Sequence, residues 1–372
     1  MHLRAKCAVA LGGLFLMAAG PSRDLGSEAI PTQPWRTLYA INQGADDRGS
    51  ISVYGIDTGH SLIKNLKPVS NVGDVRGVVA SALTGKLYVA YRSISGIGRI
   101  YCLNIYDDST VWDRVIVPGV DRLAISPDAR LLYVPTWENG SASFINIVDA
   151  NTGDIVRRVY FSSHSHDTQY PLSGPIFQET KADDGSGKYL YLIDPHNYAV
   201  SRIGPFSGVL GPYAIDGTST YAVTNVWDLW GMQVANLKTG RITTATIPNH
   251  PSGDAGLLHG IGWTPDESEV WESGRGSRVY IWDMSHNPMA PKLKGVLKLH
   301  SAAPHWLTFT IRGDYGYVAP SKDSQSETEV FNARTHTFVG VIESSENMIE
   351  IDFVNGTVSQ VGDQFGVGRA RR

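Results

Sequence analysis

Cysteine is nearly absent from this chain: only Cys7 and Cys102 occur in 372 residues. That scarcity excludes a disulfide-stapled scaffold and any paired Cys-x-x-Cys metal or redox motif. Charge is also sparse, at 18% of residues, and the net charge of −4 gives no electrostatic footprint for DNA or RNA. There is no Gly-rich phosphate loop, no Gly-x-Ser-x-Gly elbow and no His-Glu-x-x-His, so the common local signatures of nucleotide, acyl-transfer and metalloprotease chemistry are missing. No EF-hand loop occurs either, and Lys181-Ala-Asp-Asp-Gly-Ser-Gly187 reads better as a polar turn than as a Ca²⁺ loop.

Long apolar runs are missing except at the start. Cys7 to Ala19 spans 13 apolar or small residues, too few to cross a bilayer core of about 30 Å as a helix. His2, Arg4 and Lys6 precede this run and Ala18-Ala-Gly20 follows it, the pattern of an export signal over 1–20. The expectation is a periplasmic or secreted protein with no membrane span, a linker over 21–35 and Cys102 as its one cysteine. Ile100-Tyr-Cys-Leu-Asn-Ile105 makes that thiol a small buried hydrophobe.

Glycine, by contrast, is plentiful at 39 residues, as a turn-dense all-β chain requires. A phrase of about 40 residues also recurs. One copy runs Leu123-Ala-Ile-Ser-Pro-Asp-Ala-Arg-Leu-Leu-Tyr-Val-Pro-Thr-Trp137, then Ser143-Phe-Ile-Asn-Ile-Val-Asp-Ala-Asn-Thr-Gly-Asp-Ile-Val-Arg157. Another runs Leu307-Thr-Phe-Thr-Ile-Arg-Gly-Asp-Tyr-Gly-Tyr-Val-Ala-Pro-Ser321, then Glu329-Val-Phe-Asn-Ala-Arg-Thr-His-Thr-Phe-Val-Gly-Val-Ile342. Each unit reads as four short antiparallel strands, too small to bury its own faces. Units of this kind close on themselves as a β-propeller.

Six units align on their second strands: Lys86–Ala90, Leu131–Pro135, Lys188–Leu192, Thr220–Thr224, Glu269–Trp271 and Tyr315–Ala319. The seventh is split. Arg36–Ile41 matches a second strand with no first strand before it, and Met348–Phe353, followed by Asn355-Gly356, supplies one from the other end. The sequence therefore predicts an all-β, seven-bladed β-propeller over 36–360, with one blade closed by strands from both termini. The segment from Ser162 to Gly187 reads as an insertion. The tail 361–372, ending Arg369-Ala-Arg-Arg372, has no place in the blade count.

Ala222-Val-Thr-Asn225 and Ile147-Val-Asp-Ala-Asn-Thr-Gly153 resemble the YVTN-type repeat of YncE-like propellers. The resemblance covers most of Arg36 to Phe353 and implies the fold. It leaves function open, since such propellers include binding proteins, cell-surface proteins and enzymes.

In a propeller, the starts of the first strands converge on one mouth of the central channel. Register places His259 and His305 at equivalent positions of blades six and seven, Arg76 in blade two, Asp121 in blade three and Glu350 in the split blade. Blade four is approached through Ser163-His-Ser-His-Asp-Thr-Gln-Tyr170. One reading is a transition-metal site, Cu or Zn, on His259 and His305 with His164, His166, Asp167 or Glu350. Copper enters through similarity to selenium-binding-protein-type methanethiol oxidases, propellers with histidine-bound metal. A second reading needs no metal. Arg76 and Arg122 would hold an anionic ligand and His305 or Glu350 would act as general base, unless the arginines simply pair with Asp74, Asp121 or another carboxylate. Catalytic candidates are thus His305, His259 and Glu350. Ligand-binding candidates are Arg76, Asp121, Arg122, Tyr170, Trp306 and Trp227 of the Trp227-Asp-Leu-Trp-Gly231 loop. The expected partner is a small molecule and the expected state a monomer. A non-catalytic binding or interaction scaffold is the alternative.

Overall fold

Two side-chain devices write the repeat into the backbone. Where first strand turns into second, an oxygen-bearing side chain accepts the N–H groups across the hairpin. Ser126 Oγ takes those of Arg130 and Leu131, Asp216 Oδ1 those of Thr220 and Tyr221, and Thr310 Oγ1 those of Asp314 and Tyr315. A residue of positive φ completes each turn: Ala129 at 58°, Ser219 at 53° and Gly313 at 62°. Where third strand turns into fourth, an Asp or Asn caps the N–H two residues on, as Asp149 does for Asn151, Asn236 for Lys238 and Asn332 for Arg334. These local bonds fix hairpin length and so strand register.

The structure is a computed structural model that describes residues 35–137, 140–181, 186–250, 258–274, 276–300, 304–321 and 326–364. The predicted leader 1–20 and the tail beyond Gln364 lie outside these residues, as do all but the last residue of the linker and most of the Lys181–Gly187 turn. Seven sheets form the ring, six of four strands and one of five. Seven apolar clusters fill the seven wedges between neighbouring blades. Trp263, Trp271, Trp282 and Trp306 are each at most 1% exposed within them; burying a large apolar side chain stabilises by roughly 1.5–3 kcal/mol. Cys102 is fully buried in one wedge, where burial pushes its thiol up to about 12. Among the described residues no helix is long and apolar enough to cross a membrane.

The split blade is as the repeat predicts. Trp35–Ile41 pairs antiparallel with Asn347–Val354, from Trp35 opposite Phe353 to Ile41 opposite Asn347. The predicted tail then takes an unforeseen course. Asn355 and Gly356, at φ 51° and 75°, make the tight turn that two positive φ values allow. Thr357–Val361 pairs on the inner side of Asn347–Val354 as a fifth strand. Gln364 ends in the channel. Its Oε1 accepts the Val78 N–H (3.0 Å), its carbonyl accepts Trp306 Nε1–H (3.0 Å) and the Thr308 hydroxyl (3.1 Å), and its Nε2 donates to Leu123 O (3.4 Å). A pocket beside it, lined by Val78, Leu123, Gln169, Ile349 and Gln364, is about 10 Å³, room for one water at most.

Blade four corrects the sequence reading. The supposed insertion supplies its first two strands, His164–Gln169 and Ile176–Lys181. The Lys188–Leu192 run falls in the third strand, Leu190–Ile193. The first two strands are polar yet buried, so they carry no apolar alternation to betray them.

Candidate functional site at the channel mouth

Four first strands are bulged at the same end of the ring. In blade two the register slips at Val75/Gly77, in blade four at Ser165/Thr168, in blade five at Leu210/Tyr213 and in blade seven at Pro304/Trp306. The residues set out of the ladder are Arg76, His166 with Asp167, Gly211 with Pro212, and His305. A bulge re-aims side chains that a regular pleat would bury or expose in alternation. Blades three, six and one contribute residues just before or at the start of their first strands: Asp121 and Arg122, His259, and Glu346 with Asn347.

These side chains form a connected, mostly buried network. His305 Nδ1 lies 2.7 Å from Glu346 Oε1, with His305 30% exposed. Arg122 holds the same carboxylate, Nη2 to Oε2 at 2.9 Å, donates Nη1–H to Asn347 Oδ1 at 3.3 Å and brings Nε to 3.6 Å from Asp167 Oδ1. Its guanidinium rests 3.4 Å above the Trp306 ring. Burial pushes Glu346 up, but His305 and Arg122 outweigh it and hold this carboxylate down to about 2. His259 stacks on His305 with ring centroids 3.5 Å apart and planes 20° off parallel. Its Nδ1 lies 2.9 Å from His305 O, and Asn225 Nδ2–H donates to its carbonyl. Burial, then the neighbouring His305, lowers the His259 pKa well below the usual imidazole value.

Blade four continues the chain. His166 Nδ1 lies 2.7 Å from Asp167 Oδ1 and 3.5 Å from Glu179 Oε2, while Glu179 Oε1 pairs with Lys181 Nζ at 3.0 Å. Asp167 and Glu179 are both fully buried. Burial drives Glu179 up, whereas His166 and Arg122 draw Asp167 down despite its burial. Tyr213, buried beside them, is raised by burial and then by the two carboxylates.

The structure brings His259, His305, Arg76, Asp121, Arg122, His166 and Trp306 to this mouth, but not in every expected role. The imidazole planes are stacked and both Nδ1 atoms face oxygens, an arrangement in which the two in-plane lone pairs do not converge. Arg76 is committed to Asp121 (Nη2 to Oδ1, 2.6 Å) and Asp74 (3.4 Å), and Arg122 to Glu346. Both arginines are therefore paired with carboxylates.

Glu350 is misplaced in the sequence reading. Four residues past Glu346, about 13 Å along an extended strand, it takes Arg36 Nε at 2.8 Å in the wedge toward blade seven. Trp306 is 1% exposed and acts as the platform under Arg122. Tyr170 packs edge-on to Tyr133, centroids 5.3 Å apart, in the wedge between blades three and four. Trp227 is 48% exposed on a hairpin of blade five, its N–H on Val209 O. His164 starts its strand opposite Lys181, two residues short of the buried cluster.

Sequence reasoning missed Glu346, Glu179 and Lys181. Glu346 precedes the apolar start of its strand, and the other two lie in the supposed insertion. One signal was available: a polar residue interrupting an apolar first strand, as in Val75-Arg-Gly-Val78, marks a bulge.

No family model and no curated protein matches the chain. Among solved structures 1604 chains match, a breadth that identifies an architecture and not a function. The β-propeller domain of Cps50 (Swd1) from Myceliophteria thermophila aligns with TM-score 0.57 at 11% identity, over 73% of this chain and 86% of that one. The dihydro-heme d1 dehydrogenase NirN, in complex with DHE, aligns with TM-score 0.56 at 14% identity, over 93% of this chain and 78% of that one. At these identities the likeness is one of fold: the chain is a seven-bladed β-propeller.

Proposed function

We propose that this chain is an exported, YncE-like propeller whose channel mouth is a small-molecule active site, with His305 as the general acid–base. The observation that carries the reading is the line Arg122–Glu346–His305, at 2.9 and 2.7 Å. A carboxylate held ionised by a buried guanidinium orients an imidazole that is itself 30% exposed. Nδ1 faces Glu346, which leaves Nε2 to take a proton from substrate or water and return it to a leaving group. Glu346 stabilises the imidazolium formed in that step. His259, driven toward its neutral form, stacks on the ring and fixes its plane without adding a second positive charge.

With both mouth arginines paired and several carboxylates nearby, a neutral or cationic substrate fits better than an anion. The NirN likeness supports the reading by analogy alone, as a propeller named for an enzyme activity.

The test compares wild-type protein with His305→Ala and Glu346→Gln on p-nitrophenyl acetate and the lactone dihydrocoumarin. A positioned acid–base contributes roughly 10²–10⁴-fold, so His305→Ala should lose that much with its fold intact. Turnover unchanged in His305→Ala, or absent from the wild type on both probes, overturns the acid–base reading. Stabilisation by small molecules in a thermal-shift screen, without turnover, would then favour a binding protein. N-terminal sequencing of envelope-derived protein should find a chain cut near Gly20; an intact Met1 in the cytosol overturns export.

A further inference from the structure

We infer that His166, Asp167 and Glu179 form a divalent-cation site in blade four, distinct from the His259/His305 stack. One ligand atom from each lies within 4.8 Å of the others, and all three residues are buried. Ligand atoms bound at about 2 Å to one ion stand roughly 3 Å apart, so His166 Nδ1 and Asp167 Oδ1, at 2.7 Å, need to open slightly, and Glu179 Oε2, 3.5 Å from the same nitrogen, needs to close slightly.

The local geometry supplies the independent reason. Among the described residues Asp167 Oδ2 meets no hydrogen-bond donor, although its side chain is fully buried. Buried carboxylates left this way are costly unless a cation completes them. Glu179 divides its oxygens: Oε1 takes Lys181 at 3.0 Å, and Oε2 faces His166 Nδ1 at 3.5 Å. Asp167 Oδ1 faces the same Nδ1 at 2.7 Å. Three ligand atoms therefore lie together, and the bulge at Ser165/Thr168 sets His166 and Asp167 out of the ladder beside Glu179.

The donor set chooses the ion. One imidazole and two carboxylates suit Mn²⁺, Fe²⁺ or Zn²⁺ and lack the thiolate or thioether that Cu(I) prefers. Arg122 spans from Asp167 to Glu346, with Nε 3.6 Å from one and Nη2 2.9 Å from the other. The cation thus lies one guanidinium away from His305. Cation binding does not depend on whether the mouth turns over a substrate.

The experiment is titration of chelator-stripped full-length protein with Mn²⁺ and Zn²⁺, read by calorimetry and by the rise in Tm. The wild type should take up one equivalent of at least one of them. Glu179→Gln and His166→Ala should bind about 100-fold more weakly or worse, since even outer-shell partners of a metal are worth 10–100-fold. Lys181→Met, which removes a competing positive charge, should bind more tightly. Glu350→Gln, at the far seam, should match the wild type. No uptake of either ion by folded wild type overturns the site, and so does equal affinity in Glu179→Gln. Should that variant fail to fold, Lys181→Met decides: tighter binding sustains the site, unchanged or weaker binding overturns it.

Discussion

Two networks of buried charge sit at opposite ends of this ring, and they are finished differently. At the closure seam Arg36, 2% exposed, joins three carboxylates. Nε goes to Glu350 at 2.8 Å, Nη1 to Asp314 at 2.7 Å and Asp57 at 3.0 Å, and Nη2 to Asp314 at 2.8 Å. The second oxygen of Glu350 accepts the Ile311 N–H. At the mouth the contacts are as short, yet among the described residues Asp167 Oδ2 meets no hydrogen-bond donor. A saturated network rigidifies a junction, whereas an unsaturated one retains capacity for a ligand. The comparison separates charge that holds the ring shut from charge available for chemistry.

The sharpest attempt to break it is Arg36→Met. Removing one partner of a buried ion pair leaves uncompensated carboxylates, typically a loss of about 3–5 kcal/mol, to be measured by urea unfolding. A loss below about 1 kcal/mol would show the seam to be no more structural than a surface pair.

His305→Ala makes the converse demand. On the proposed acid–base reading, removing this partly exposed imidazole should change stability by under about 1 kcal/mol while turnover is lost. A collapse in Tm would erase the distinction between the two ends.

Acid supplies a third, smaller contrast. Against the upward push of burial, Arg36 and Thr310 hold Asp314 down to about 2 from an ordinary 3.8. A depressed carboxylate adds stability that is complete above the unfolded value and is lost as pH falls toward the folded one. This group should therefore give up about 2 kcal/mol between pH 4 and pH 2. Urea midpoints across that window should fall steeply in wild type and more gently in Arg36→Met. A last change is Gln364→Ala, which removes the bonds to Val78 N and Leu123 O and should lower stability by about 1–3 kcal/mol in urea unfolding, because it leaves a buried N–H unmet.

The seam and the mouth were not equally legible in the sequence. The seam follows from the missing first strand before Arg36 and its reappearance at Met348, a pattern of apolar alternation with a plain reading. At the mouth, equivalence of blades put His259 and His305 side by side, and they stack at 3.5 Å. The same counting mistook Glu350 for Glu346, because Glu346 stands before the alternation begins and only the paired strand shows where the blade starts. Glu179 and Lys181 were hidden for a different reason. Ile176-Phe-Gln-Glu-Thr-Lys181 is buried through its polar contacts, and hydropathy does not register a strand of that kind. Bulges add to the difficulty, since an extra residue shifts every later side chain by one place.

The inner fifth strand has a consequence for traffic. Gln364 is bonded to blades two, three and seven, so the described tail crosses the channel and narrows it. On the proposed acid–base reading, a solute that enters by the mouth to reach His305 leaves by the same mouth. Product and fresh substrate then compete for one threshold, so inhibition by product should be competitive with substrate.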